Sequence, residues 1–201
     1  MNIELPSGSA NPEYRNGGFT LVELLVVLSL QGILLGAVVM SFTSQLTVHR
    51  RQEQMSEMQQ VARAALDLMT REARMAGYNP RGVELVGTTH DPGALRILAD
   101  LNGDGDTTDS NENIVYAHDP ATLRLTRNTG GGRQSVAEQV EAFALEYRDQ
   151  NGVATEVGAE IRQLWIQITT RIAQPDPRYG SNGGYRTYTL DSLITPANLG
   201  L

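Results

Sequence analysis

Residues 18 to 30 are Gly18-Phe19-Thr20-Leu21-Val22-Glu23-Leu24-Leu25-Val26-Val27-Leu28-Ser29-Leu30, and they place one carboxylate inside an otherwise apolar segment. From Phe19 to Phe42, Glu23 is the only charged residue and proline is absent. As a helix with a rise of about 1.5 Å per residue, this segment is about 36 Å long, which is enough to cross a bilayer. The sequence therefore predicts a transmembrane helix over residues 19–42.

Glu23 is the residue of this segment whose transfer into a membrane is unfavourable. A carboxylate in hydrocarbon costs about 2.5 to 3.5 kcal/mol on insertion scales, so such an acid usually neutralises, pairs with a cation or marks a functional site. The alternatives are an ordinary secretory signal peptide or a plain single-pass anchor, which apolar periodicity alone does not exclude. A secretory signal has its small-residue cleavage site after the apolar core, whereas this chain has Gly18 before it.

The segment from Gly18 through Glu23 into the apolar run resembles the class III signal of type IV pilins and type II secretion pseudopilins. This resemblance implies that a prepilin peptidase cuts between Gly18 and Phe19, so that residues 1–18 are a leader peptide. It implies that the new terminal amine of Phe19 is methylated. It also implies that Glu23, the fifth residue after the cut, attracts the terminal amine of a neighbouring subunit during assembly. Burying two opposite charges together would offset much of their desolvation.

Composition limits the remaining possibilities. A chain of 201 residues with 40% hydrophobic content can bury one modest core beyond the helix, so we expect one further domain. The net charge of −7 gives no basic stripe, and a nucleic-acid partner is not indicated. Cysteine is absent from the sequence, which excludes a disulfide.

Apolar side chains recur at helical spacing beyond the span and predict an amphipathic continuation of the helix over residues 43–77. They are Met55, Met58, Val61, Ala62, Ala65, Leu66, Met69 and Ala76. The charged residues Arg63, Asp67 and Arg71 fall on the opposite face. Gly77 and Pro80 predict the end of the helix, since glycine suits the C-terminal cap and proline cannot continue a helix.

Beyond Pro80 the apolar period changes from about 3.6 to about 2, which predicts strands. The predicted strands are residues 83–86, 94–99, 114–118, 123–127, 142–148, 161–172 and 185–190. Asp119-Pro120-Ala121 predicts a hairpin turn, residues 134–142 a short helical turn, and Asn151-Gly152 a turn into a loop. Trp165, Ile166 and Ile168 are expected to pack in the core and sheet.

The expected fold class is α+β and pilin-like. A long N-terminal helix, transmembrane in its first half and amphipathic in its second, would pack on an antiparallel β-sheet. That sheet would belong to a β-rich C-terminal domain formed by residues 78–201.

A second informative segment runs from Asp100 to Glu112 and alternates acidic with small residues. Its opening, Asp-x-Asn-x-Asp-Gly, matches the start of a calcium loop, where hard oxygen ligands surround a hard cation and glycine permits a tight turn. The predicted ligands of Ca²⁺ are Asp100, Asn102, Asp104, Asp106, Asp109 and Glu112. The twelfth position is Asn111 rather than an acid, so the segment is not a standard EF-hand. The alternative is a solvated acidic turn without metal.

Catalytic motifs are not visible in the sequence. The three histidines, His49, His90 and His118, are scattered, and no serine lies in a Gly-x-Ser-x-Gly motif. Residues 130–132 are three glycines that resemble a phosphate-binding loop only in composition, because the Lys-Ser/Thr that should follow is missing. We expect no enzyme activity.

Within the pilin superfamily, residues 145–152 and 193–201 resemble PilW-type minor pilins, a group related to the J-type pseudopilins. The resemblance implies a minor pilin of a type IV pilus that primes assembly or sits at the tip. Its partners would be the prepilin peptidase, other pilins, and an inner-membrane assembly platform with its ATPase. The protein would span the inner membrane once, with a periplasmic globular domain, and then enter a filament. Two alternatives stay open: a type II secretion pseudopilin of the J type, and a membrane-anchored calcium-binding adhesin that does not polymerise.

Overall fold

The computed structural model describes residues 17–82 and 85–199. The predicted leader up to residue 16, and residues 83 and 84 of the first predicted strand, lie outside the described residues. The chain divides into two compact units, Met1–His49 and Arg50–Leu201. One helix, α1 (Leu21–Ala73), belongs in part to each unit.

The first unit contains the apolar part of α1. The side chains of this part of the helix are exposed, among them Leu21 at 73% and Ile33 at 70%. Within the described residues, α1 is the helix whose length and apolar composition suffice to cross a membrane. An apolar surface of this size is unfavourable in water, so lipid or another protein would have to cover it.

The second unit buries one face of the remaining part of α1. Six buried residues form a stripe along this face, most of them three or four positions apart. This spacing is the one expected for one face of a helix with 3.6 residues per turn. They are Met58, Ala62, Ala65, Leu66, Met69 and Ala73. Arg63, Asp67 and Arg71 are exposed on the other face, as the sequence predicts.

Four antiparallel strands form the first sheet in the order β1-β2-β3-β4. Their bounds are β1 Ala94–Leu98, β2 Asn113–Asp119, β3 Arg124–Asn128 and β4 Arg133–Glu138. The predicted hairpin turn at Asp119 joins β2 to β3. The Asp119 carboxylate accepts hydrogen bonds from the backbone N–H of Ala121 at 2.9 Å and the hydroxyl of Thr122 at 2.8 Å.

Three antiparallel strands form a second sheet in the order β5-β6-β7. Their bounds are β5 Val140–Arg148, β6 Gln163–Arg171 and β7 Thr187–Ile194. The buried pattern alternates along β6, where Ile166 and Ile168 are fully buried. Trp165 is half-buried on the opposite face, and its indole N–H donates to Asp191 Oδ2 at 3.1 Å.

The stripe of α1 and both sheets contribute to one hydrophobic core. Tyr116 of β2, Leu125 of β3 and Val140 of β5 are completely buried in it. Thr170 of β6 donates its hydroxyl to the carbonyl oxygen of Met58 at 3.1 Å, which links the second sheet directly to the helix. The second unit is thus a helix packed on two antiparallel sheets.

Three features differ from the sequence predictions. The helical turn predicted over residues 134–142 is wrong, because β4 and the start of β5 occupy these residues and Gln139, with φ 56°, separates the strands. Two sheets replace the single one expected. Residues 85 and 86 of the predicted strand 83–86 are not in a strand.

The end of α1 is packed unusually closely. The last turn tightens, with the N–H of Ala76 donating to the carbonyl of Ala73 at 3.1 Å, and Gly77 adopts φ 77°. A Cβ atom at Gly87 would lie 2.2 Å from the backbone nitrogen of Gly77 and 2.5 Å from Leu199 Cδ2. Only glycine fits at residue 87 without displacing its neighbours.

Candidate functional site

The first candidate site lies at the start of α1, where Thr20 and Glu23 bind each other reciprocally. The backbone N–H and the hydroxyl of Thr20 both donate to Glu23 Oε2 at 3.0 Å. The N–H of Glu23 donates in turn to Thr20 Oγ1 at 3.2 Å. This is a capping box, in which Thr20 is the N-cap and Glu23 the third helical residue.

The capping box gives Glu23 a contact within its own chain. Its hydrogen bonds in the described residues use Oε2, and the side chain is exposed. A carboxylate has lone pairs on both oxygens, so Oε1 can meet a cation while Oε2 caps the helix. The sequence reasoning missed Thr20, although the spacing Thr-x-x-Glu before an apolar run is a known signal.

The predicted cleavage residues Gly18 and Phe19 precede the helix and are exposed. Gly18 has no heavy atom within 4 Å of a hypothetical Cβ, other than those of its chain neighbours. The bond between them is therefore accessible. Cleavage, methylation and the assembly role of Glu23 stay predictions.

The second candidate site is the acidic loop between β1 and β2. Asp100, Asp104 and Glu112 each present an oxygen within 4.8 Å of those of the other two. Asp100 and Glu112 are buried, at 0% and 2% exposure, whereas Asp104 is exposed. Three of the six predicted ligands thus converge.

Backbone N–H groups hold the two buried acids in place. Asp100 Oδ1 accepts from Gly103 at 2.6 Å and Oδ2 from Gly105 at 2.9 Å. Glu112 Oε1 accepts from Leu101 at 2.8 Å and Asn102 at 3.1 Å. Glu112 Oε2 is buried and has no hydrogen-bond partner among the described residues.

The other predicted ligands lie around this cluster. The Asn102 side-chain amide donates to Asp104 Oδ2 at 3.0 Å and to Asp109 Oδ2 at 2.7 Å. Asp106 instead accepts from the backbone N–H of Thr108 at 2.8 Å. The negative charge of Asp104 raises the pKa of Asp109, which is the electrostatic signature of crowded carboxylates.

A third polar cluster joins α1 to the first sheet. Arg127 of β3 binds Glu72 through two nitrogens, with Nη2 at 2.7 Å from Oε1 and Nε at 3.0 Å from Oε2. The hydroxyl of Tyr116 donates to the same Oε2. We call these three residues the Glu72 cluster. Both oxygens of Glu72 accept hydrogen bonds within the cluster, which fits a structural role, and the sequence reasoning did not identify it.

The two histidines of the second unit serve packing. His118 Nε2 lies 2.8 Å from the carbonyl oxygen of Val140, and the His90 ring meets the edge of Tyr147 with centroids 5.1 Å apart. In the loop at residues 130–132, the N–H groups of Gly130 and Gly132 donate to the Asn128 side chain. This glycine loop therefore turns its N–H groups inward rather than towards a phosphate.

A protein-family model described as the prokaryotic N-terminal methylation motif matches residues 14–39. The match includes Gly18, Phe19 and Glu23. The structure places this motif at the start of the long helix whose second part packs on two antiparallel sheets.

The chain accordingly carries an N-terminal methylation motif. A solved structure, a type IV-like pilin from Thermus thermophilus, is similar to it at 16% identity and a TM-score of 0.45. That similarity covers 75% of this chain and 98% of the other. No curated protein matches the chain significantly.

Proposed function

We propose that this protein is a minor pilin that enters a type IV pilus through its N-terminal helix. In this proposal, prepilin peptidase cuts between Gly18 and Phe19 and the amine of Phe19 is methylated. An inner-membrane platform and its ATPase then lift the subunit out of the membrane into the growing filament, where it primes assembly or occupies the tip.

The observation that carries the proposal is the methylation motif together with Glu23 at the exposed start of an apolar helix. The Thr20–Glu23 capping box fixes the carboxylate at the helix N-terminus. The terminal amine of a neighbouring subunit is a cation that Glu23 Oε1 can bind without breaking the cap. In an apolar filament core such a pair is favoured over either isolated charge.

Mass spectrometry of the membrane-extracted chain tests the processing step. The expected N-terminus is methylated Phe19. A chain that retains Gly18, or that is cut after the apolar segment, would contradict the proposal.

The role of Glu23 separates into a charge and a helix cap. Glu23→Gln retains an acceptor for the Thr20 N–H but removes the charge, since glutamine also completes a capping box. Thr20→Ala removes the N-cap side chain but keeps the carboxylate. We expect Glu23→Gln to lower the amount of protein in purified filaments about tenfold, whereas Thr20→Ala and the control Glu53→Gln remain near the wild-type level.

Normal incorporation of Glu23→Gln would show that the charge pair is not needed. Equal loss in Thr20→Ala would assign the effect to the helix start instead. Recovery of the wild-type chain in secretion pseudopili rather than pili would favour the J-type pseudopilin. Its absence from every filament would favour the membrane-anchored adhesin.

A further inference from the structure

We propose that the loop of residues 100–112 is a calcium site, in which Asp100, Asp104 and Glu112 bind one Ca²⁺. This site is independent of the assembly function proposed above. It lies in the second unit, between β1 and β2, and uses none of the residues at the start of α1.

The first support is the buried and unpartnered oxygen of Glu112. Glu112 is 2% exposed, and its Oε2 has no hydrogen-bond partner in the part of the chain that the structure describes. Burying a charged group without full compensation is costly, so such groups pair with opposite charge or coordinate a metal. A cation bound at Glu112 Oε2 would remove this cost.

The second support is the spacing of the three oxygens. They lie within 4.8 Å of one another. Calcium binds oxygen at about 2.3 to 2.6 Å, so two ligands on opposite sides of the ion are up to about 5 Å apart. Separations of up to 4.8 Å are therefore compatible with three oxygens on one calcium ion. Magnesium demands near-ideal octahedral geometry at about 2.0 to 2.1 Å and loses its water reluctantly, so calcium is the cation that we expect here.

The third support is the charge around the two buried acids. Among the described residues, Asp100 and Glu112 accept hydrogen bonds from backbone N–H groups, which are neutral. These belong to Gly103, Gly105, Leu101 and Asn102. The nearby guanidinium of Arg81 donates to the carbonyl oxygen of Asp104 at 2.7 Å rather than to a carboxylate. The cluster thus keeps a negative excess that a divalent ion would neutralise.

The position of the loop gives the bound ion a structural consequence. The N–H of Asp100 donates to the carbonyl oxygen of Tyr78 at 2.8 Å, just beyond the end of α1. An ion that fixes Asp100 and Asp104 would therefore also fix the segment after the helix. We expect calcium to stabilise the second unit as a whole rather than the loop alone.

Calorimetric titration of the full chain in detergent micelles, after removal of calcium with a chelator, tests the site. We expect one Ca²⁺ per chain with a Kd of about 10⁻⁴ to 10⁻³ M, the range of extracellular calcium modules. Calcium should also raise the Tm of the second unit. Magnesium at the same concentration should give neither comparable heat nor a comparable shift.

Glu112→Gln is the sharpest variant, because glutamine keeps the acceptor for the two N–H groups and removes the unpaired charge. We expect it to weaken calcium binding at least about tenfold, while its calcium-free form melts no lower than wild type. Asp104→Asn, at an exposed position, should weaken binding without affecting folding. Glu156→Gln, an exposed acid outside the loop, is the control and should bind calcium like wild type.

Absence of calcium binding by the wild-type chain would overturn the proposal. Equal binding heats and equal Tm shifts with magnesium and calcium would also overturn the proposal, because they would indicate charge screening rather than a specific calcium site. Should Glu112→Gln fail to fold, Asp104→Asn decides, since unchanged affinity in that variant would exclude the cluster as the site.

Discussion

At the scale of single residues, Tyr147 illustrates how burial controls a titrating group. It is 2% exposed, and its hydroxyl donates to the carbonyl oxygens of Asp91 at 3.0 Å and Ala94 at 3.1 Å. Burial raises the pKa of Tyr147 to about 12. The neutral phenol thereby ties the segment before β1 to β5.

This raised pKa predicts a loss of stability in alkali. Because the folded value lies above the unfolded value of about 10, the contribution of Tyr147 is complete below about pH 10. It is lost as the pH rises through about 12, where the folded group ionises. We expect the free energy of unfolding, measured by urea denaturation, to fall across this range. The fall should be smaller in Tyr147→Phe and unchanged in the half-exposed control Tyr78→Phe.

Individual residues were predictable from sequence to different degrees. The spacing of acids and glycine identified Glu112 as a ligand candidate, but its buried oxygen depends on β2, which starts at the next residue. Thr20 was predictable as a capping residue, because Thr-x-x-Glu directly precedes an apolar run. The spacing of residues therefore identifies candidate ligands and caps. The burial of a polar atom, by contrast, can be seen only in the folded structure.

At the scale of elements, the Glu72 cluster is the polar link between α1 and the first sheet. The side chains of Glu72 and Arg127 are only 13% and 20% exposed, and their contact is bidentate. Removal of either Glu72 or Arg127 would leave the other charged, largely buried and without its partner, which destabilises the fold.

Arg127→Leu should therefore destabilise the fold by about 3 kcal/mol. Adding Glu72→Gln should recover part of that loss, because it removes the stranded charge and retains an acceptor for Tyr116. The control is Arg124→Leu, whose partner Glu138 is exposed, and it should cost less than about 1 kcal/mol. Chemical denaturation of the four chains provides the measurement. A double variant less stable than Arg127→Leu would contradict the pairing.

Among the elements, strand β4 was predicted to be helical, which is wrong. Gln134, Ala137 and Glu138 have good helix propensity or are neutral, and most of the strand is exposed, so it lacks a strong alternating pattern. Its pairing with β3 makes it a strand. The long helix and strands such as β2 and β6 were predictable because each has a continuous apolar period over its length.

At the scale of the whole molecule, Asp176 connects distant parts of the second unit. It is 5% exposed, with Arg51 of α1 at 3.1 Å and Arg186 at 3.4 Å from its carboxylate. The N–H of Arg178 and then the charges of Arg51 and Arg186 hold the pKa of Asp176 below its ordinary value. The ionised form is thus the one that the fold stabilises.

The lowered pKa of Asp176 predicts sensitivity to acid. Its contribution is present above the unfolded value of about 3.9 and is lost as the pH falls through the lower folded value. We expect Asp176→Asn to lower the Tm at neutral pH, and the difference from wild type to shrink below about pH 4. Glu138→Gln, in an exposed ion pair, should change the Tm little at either pH. A Tm difference for Asp176→Asn that stays constant with pH would contradict this interpretation.

The division of the core between two sheets is the global feature that the sequence did not reveal. Seven strands with short connections are compatible with one sheet or two, and strand patterns do not specify which strands pair. The left-handed conformation of Gln139 and the shift of register beside it separate β4 from β5. Such breaks depend on the packing of both sheets against one helix, which local patterns do not contain.

The close approach of Gly87 to Gly77 and Leu199 has a consequence for how this chain can vary. Exposed positions in the part of α1 that belongs to the second unit, such as Arg63 and Arg71, leave room for other side chains. At residue 87, by contrast, any added carbon meets the backbone of Gly77 and the side chain of Leu199 at the same time. Change there demands compensating shifts at sites 10 residues earlier and more than a hundred later, so in natural variants of this chain glycine should persist at position 87.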